Sequence, residues 1–262
     1  MKKVFIAILL LFTLFLSSCS NGVDVDENVV YVTTYPVQYL VEEIAGDTVI
    51  VKRVPGSTVH SESIDWGAKE IIDMLDSDLL FYVNGGLDTY IPNNADTTFE
   101  DGNVELVDIS KAVTYNQVCY THTHDHEGEE EHSEDEIIEE CDENMLSDDP
   151  HFWLDPVRMK EAATLVKDKL IATFPENQEQ YNNAHTVLNA SLEKLDEDYQ
   201  KMADEAIKPI ITTVMLFTYW HERYDLEILS ITNSAHSSES DPGDIIEFKE
   251  EALYHFIHHI MF

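Results

Sequence analysis

Basic residues are scarce in this sequence. Its 262 residues carry 15 Lys+Arg against 52 Asp+Glu, a formal charge of −37 with the 12 histidines neutral. A reader of nucleic acid needs a basic face to neutralise phosphates, so that class is excluded. Cysteine is also rare, with 3 in the chain and no Cys-x-x-Cys. There is no phosphate-cradling glycine loop, no Gly-x-Ser-x-Gly elbow and no His-Glu-x-x-His, which sets aside the nucleotide, serine-hydrolase and zinc-hydrolase signatures. Long apolar runs are lacking too. The longest, residues 4–16, falls short of a membrane span. What is present is material for a core, 44% hydrophobic and 10% aromatic residues, enough for one large domain or two lobes of roughly 120 residues.

The N-terminus reads as an export segment over 1–18, with Met1-Lys2-Lys3, the apolar run, then Leu16-Ser17-Ser18-Cys19. A cysteine after Leu-Ser-Ser resembles the bacterial lipobox, against an ordinary signal peptide with an incidental cysteine. The lipobox reading predicts cleavage before Cys19, lipidation of its sulfur, a tether over 19–28 and an extracytoplasmic, membrane-anchored protein. In an oxidising compartment Cys119 and Cys141 are candidates for a disulfide, the alternative being two free thiols.

From residue 29 strands alternate with helices. Residues 29–34, 48–54, 79–83 and 104–109 are β-branched or continuously apolar, and 68–75 and the stretch from Pro36 to just before Gly46 have helical apolar spacing. This predicts a parallel α/β lobe over 29–111 with helices on both faces. Residues 112–149 break the pattern with fourteen acids, His122, His124, His126, His132 and no Lys or Arg. They read as an inserted, self-repelling loop, disordered unless it holds cations. An interlobe segment follows over 150–175, with Asp155 as N-cap and Pro156 in the first turn. A sustained stripe through Tyr181, Ala184, Leu188, Leu192, Leu195, Tyr199 and Met202 predicts a linking helix over 176–206. It is long enough, about 40 Å, to serve as a rigid strut. Strands at 209–214, 226–231 and 257–262 begin a second α/β lobe over 207–262, which reads as incomplete.

Histidine carries the chemistry. His60 lies on a loop after the strand at 48–54, where ligand clefts of open α/β sheets form, and reads as a ligand or as a surface residue. His151, in Asp148-Asp149-Pro150-His151-Phe152-Trp153-Leu154-Asp155-Pro156, reads as a fixed ligand or as a packed, hydrogen-bonded histidine.

Four ordered blocks carry a resemblance: VVYVTTYPVQYLVEEIAGDTVIVKRVPGSTVHSES, DSDLLFYVNGGLDTYI, DPHFWLDPVRMKEAATLVKDKL and FTYWHERYDLEILSI. With the lipobox, they resemble the zinc/manganese-binding lipoproteins that serve bacterial ABC importers. The resemblance implies the metal-type periplasmic-binding-protein fold: two parallel-sheet lobes, a long rigid helix between them, and one metal held in the cleft. It places the first two ligands on His60 and His151, and imidazole suits borderline Zn2+. It places the third on Val214, which cannot coordinate, and the fourth beyond Phe262. Ser61-Glu62-Ser63-Ile64 also departs from the family's Tyr-Glu-Pro pattern. His236 or His221 is the substitute candidate for the third ligand. The loop histidines His122, His124, His126 and His132 form an auxiliary capture site by the same resemblance, the alternative being a solvated acidic linker.

The resulting expectation is a non-enzymatic solute-binding lipoprotein. It takes Zn2+ as cargo, with Mn2+ also compatible, uses no organic cofactor, and delivers metal to an ABC permease from a lipid anchor. The alternatives are a surface metal buffer or adhesin, or a truncated subunit that no longer delivers metal.

Overall fold

A computed structural model of the chain describes residues 27–57, 63–119 and 146–232, together with Lys249. Cys19, His60, His122, His124, His126, His132, Cys141, His236 and the predicted strand at 257–262 lie outside the described residues, as does the Cys119 side chain.

The first lobe is built on four parallel strands, β1 (Val29–Val32), β2 (Ile50–Arg53), β3 (Leu79–Tyr82) and β4 (Glu105–Asp108), in the order β2-β1-β3-β4. Register pairs Val30 with Val51 on one side and with Leu79 on the other. Side-chain alternation then sorts the sheet's residues onto two faces. Val30, Val32, Leu79 and Phe81 enter one core, and Tyr31, Leu80 and Tyr82 enter the other. Burial on both faces is why β3 reads as an unbroken apolar run.

On the first face lie α1 (Tyr35–Ala45), α3 (Pro156–Thr173) and α4 (Gln178–Glu205). They present Val37, Leu40, Val41 and Ile44, then Met159, Ala162, Val166 and Leu170, then Tyr181, Leu188 and Leu192. On the second face α2 (Ala68–Leu75) buries Met74 beside Tyr90, Ile91 and Phe99. Each fully buried large apolar side chain contributes about 1.5–3 kcal/mol. Capping matches the sequence: the Asp155 side chain accepts from Val157 N at 2.8 Å, and Pro156 needs no donor.

Helix α4 has 28 residues, about 42 Å at 1.5 Å per residue. Its N-terminal part is tied to the first lobe, where the Tyr181 hydroxyl meets Thr48 Oγ1 at 2.8 Å and Gln180 donates to Ala45 O at 3.1 Å. Its C-terminal part receives α5 (Thr218–Tyr224), through Tyr199 against Trp220 and Tyr224 at ring separations of 5.1 and 5.8 Å. One helix thus carries both units. The stripe expected along α4 is buried only as far as Leu192, since Leu195 and Met202 are 38% and 41% exposed.

The second unit contains β7 (Ile210–Val214) and β8 (Ile228–Thr232), a parallel pair. Two elements inside the expected loop 112–149 differ from the sequence reading. β5 (Asn116–Cys119) and β6 (Leu146–Asp149) form an antiparallel ladder pairing Asn116 with Asp149. The insert's ends are therefore ordered strands, and its outermost acids, Asp148 and Asp149, belong to the scaffold. No helix among the described residues is long and apolar enough to cross a membrane.

Two stability predictions arise here. Gly85 has φ +86°, and a Cβ there would sit 2.4 Å from Tyr115 Cε2. Tyr115 cannot yield freely, because its hydroxyl donates to Asn84 O at 3.0 Å and its ring stacks on Phe152 at 6.4 Å. Gly85→Ala is expected to lower stability by about 1–3 kcal/mol in a urea melt, combining backbone strain with displacement of that ring.

The second concerns Asp196 of α4, which takes two 2.6 Å bonds from Arg223 and one of 2.9 Å from the Tyr224 hydroxyl. Hydrogen bonding from Arg223 holds its carboxyl below the usual carboxylate range. A carboxyl depressed in the folded state stabilises above its unfolded value, and the benefit is lost as pH falls through the folded value. Asp196→Asn should therefore cost about 1 kcal/mol near pH 6, and the gap to wild type should narrow below about pH 4.

Candidate metal centre

His151 stands where β6 ends and the chain turns into α3. Asp149 closes the strand, Pro150 fixes φ, and Phe152–Leu154 form a 3-10 turn leading to the Asp155 cap. The turn places backbone and ring of His151 against one carboxylate. Its N–H reaches Asp149 Oδ1 at 3.0 Å and its ring Nδ1 meets the same oxygen at 2.6 Å. A carboxylate only accepts, so Nδ1 carries the hydrogen. A metal would then be met by Nε2, the nitrogen whose basicity the carboxylate raises. His151 is 7% exposed and Asp149 1%. Trp153 packs edge-on to the imidazole at 5.2 Å, and the fully buried Phe152 lies edge-on to Trp153 at 5.6 Å.

Asp149 is itself held from the second unit. Its Oδ2 accepts from Thr218 Oγ1 at 2.5 Å, and its carbonyl accepts from the Tyr219 hydroxyl at 2.5 Å. That hydroxyl also accepts from Asn116 N at 3.3 Å. Burial pushes the Tyr219 phenol well above its ordinary range, keeping it a donor at neutral pH.

Beside this cluster Arg158 ties three elements together. It pairs with Asp155, donates to Thr114 O at 2.7 Å, Asn116 Oδ1 at 2.9 Å and Glu222 Oε2 at 3.0 Å, and lies over the Tyr219 ring at 4.7 Å. Arg223 adds a 3.5 Å contact to the wholly buried Asp155.

The first unit contributes the carboxyl edge of its sheet. β2 ends at a turn in which Ser57 N donates to Val54 O at 3.1 Å, and His60, three residues further on, lies outside the described residues. At the same edge Asp88, 3% exposed, accepts from Thr33, from Val83 N at 2.8 Å and from the Tyr90 hydroxyl at 3.0 Å.

The remaining candidates are placed as follows. Val214 ends β7, half-buried, with an aliphatic side chain. It is a strand residue, whereas His221 lies on the helix that follows. His221 is exposed on α5, with Nδ1 meeting Leu226 O at 2.9 Å. It lines a groove of about 560 Å³ together with Arg158, Phe217 and Glu222, whose walls do not include His151. Among the described residues no three His, Cys, Asp or Glu side chains are grouped to hold a metal. Sequence reasoning did not single out Asp149 or Thr218. The acid two residues before His151 was visible, but the threonine 69 residues away carried no local signal.

Two α/β units strung on one 28-residue helix, with a carboxylate-braced histidine at the junction, define the metal-type periplasmic-binding-protein fold. The chain belongs to the ZnuA family, described as the periplasmic component A of the zinc-uptake complex, whose model matches residues 30–262. It is 28% identical over 264 residues to the zinc-binding lipoprotein AdcA of Streptococcus pneumoniae, covering all of this chain and 50% of that protein. It is 26% identical over 234 residues to the high-affinity zinc uptake system protein ZnuA of Bacillus subtilis, covering 89% of this chain and 70% of the relative. The chain thus spans half the length of AdcA, the first of these relatives. In fold it is similar to the Streptococcus pneumoniae AdcAII protein, with a TM-score of 0.67 at 22% identity over 88% of this chain and 77% of that one.

Proposed function

We propose that this chain is an extracytoplasmic lipoprotein, anchored through Cys19, that captures Zn2+ between its two units and passes it to an ABC permease. The observation that carries this reading is the buried Asp149–His151 pair at the junction, in which the carboxylate engages Nδ1; this supports Nε2 as the coordinating nitrogen. The family's zinc-uptake role and the names of its relatives support zinc as the cargo. His60 supplies the first-lobe ligand, and His236 replaces the donor absent at Val214, since His221 lines a groove that does not include His151. Binding is reversible coordination, and no bond of a substrate is made or broken. The −37 formal charge raises cation concentration near the surface.

Val214 favours a second reading, a surface metal buffer working through His122, His124, His126 and His132, because it leaves the cleft one donor short. Zinc titration of the chain from Ser20 against a competing chelator separates the two. Under the importer reading, one tight site survives deletion of residues 120–145, which leaves β5 and β6 in place, and disappears in His60→Ala/His151→Ala. Weak, multiple binding that disappears with the loop establishes the buffer instead.

A further inference from the structure

We propose that Thr218 is a positioning residue for metal capture: through Asp149 it lets the second unit set the orientation and tautomer of the His151 ring. The inference rests on the reading of His151 as a ligand.

Three observations converge on it. First, Asp149 has both carboxylate oxygens in use, Oδ1 by the backbone and ring of His151 and Oδ2 by Thr218 at 2.5 Å. A carboxylate gripped at both ends cannot rotate, so neither can the bond it makes to Nδ1. Second, the grip crosses units. Thr218 opens α5, directly after β7 and the Val214 position, whereas Asp149 and His151 sit at the end of the β5–β6 hairpin. Third, Tyr219 doubles the attachment one residue along, bonding the Asp149 carbonyl and the Asn116 N–H of the paired strand. With Asp149 1% exposed, water does not compete freely for these bonds.

The consequence is mechanical. Where Val214 has no donor to offer, the second unit still reaches the metal position indirectly, by holding the group that holds the ligand. A displacement of α5 away from β6 would release Oδ2, free the carboxylate to turn and relax the imidazole. Outer-shell partners of this kind typically change metal affinity by about 10–100-fold.

The test uses the whole chain from Ser20 with 15N-labelled histidine, and His151→Ala assigns the ring signals. In the metal-free wild type the His151 ring is expected in the Nδ1–H form. Thr218→Val removes the hydroxyl at nearly constant shape. It should broaden the His151 ring signals, raise the Nε2–H fraction and raise the zinc Kd about 10-fold. Thr218→Ser restores the hydroxyl and should restore both readouts, which a purely packing role for the Thr218 methyl would not. Tyr219→Phe provides a second variant on the same attachment, with a smaller change in the same direction.

Ring signals unchanged in Thr218→Val and Tyr219→Phe overturn the proposal. So does a changed ring with unchanged zinc Kd, provided His151→Ala does weaken zinc. If His151→Ala leaves zinc binding intact, the ligand reading has failed, and the ring signal alone decides whether Thr218 positions His151.

Discussion

Replacing His151 with alanine is expected to weaken zinc binding by at least about 100-fold while leaving the chain folded. Structural zinc sites bind with about 10–16 kcal/mol, so one ligand of a set of three or four carries about 2.5–5 kcal/mol. The loss should sit at the upper end here, because the ring is pre-oriented by Asp149 at 2.6 Å and pays little entropy on coordination. Stability should fall less, since the Asp149 carbonyl and Oδ2 keep their bonds from Tyr219 and Thr218 and Phe152 keeps its place in the core. Chelator competition with zinc, run beside a thermal melt of the metal-free proteins, separates the two effects. A Kd within threefold of wild type would remove His151 from the ligand set and the importer reading with it.

Much of this arrangement could be read from local patterns, and what could not depends on long-range contacts. β3, α2 and the Asp155–Pro156 start of α3 fall where β-branched runs, 3.6-residue spacing and capping place them. The linking helix was legible as a helix because its apolar stripe persists over many turns. Its exposure beyond Leu192 was not, because periodicity identifies a face without saying what covers it. The β5–β6 ladder was hidden for a different reason. Asn116-Gln117-Val118-Cys119 and Leu146-Ser147-Asp148-Asp149 have almost no apolar alternation, and the acids around them resemble a solvated linker. Helix α5, seven residues long, is too short for a periodic signal. The same division applies to the site. The fixed, hydrogen-bonded position of His151 was legible from its rigid tract, whereas its brace combines an acid that looked like part of a charge run with a threonine from another unit.

The largest stability effect is expected at Asp155. This carboxylate is 0% exposed and does three things: it caps α3 through Val157 N, pairs with Arg158, and faces Arg223 at 3.5 Å. Removing one member of a buried ion pair costs about 3–5 kcal/mol, because the surviving charge stays desolvated, and losing an N-cap adds about 1 kcal/mol. Two features pull the sum down. Arg158 keeps Thr114 O, Asn116 and Glu222, and Arg223 keeps Asp196, so neither guanidinium is stranded. Asp155→Ala should therefore cost about 3–4 kcal/mol, lowering Tm by about 6–16 °C for a protein of this size. Asp155→Asn retains the side-chain oxygen that caps the helix but not the charge, and should recover about 1 kcal/mol of the loss. If asparagine restored wild-type stability, the cap alone would matter and the arginine pairs would be idle. If both variants melted with the wild type, the junction between hairpin, α3 and α5 would rest on Tyr219 and its apolar neighbours, and the ionic network would contribute nothing to holding the two units together.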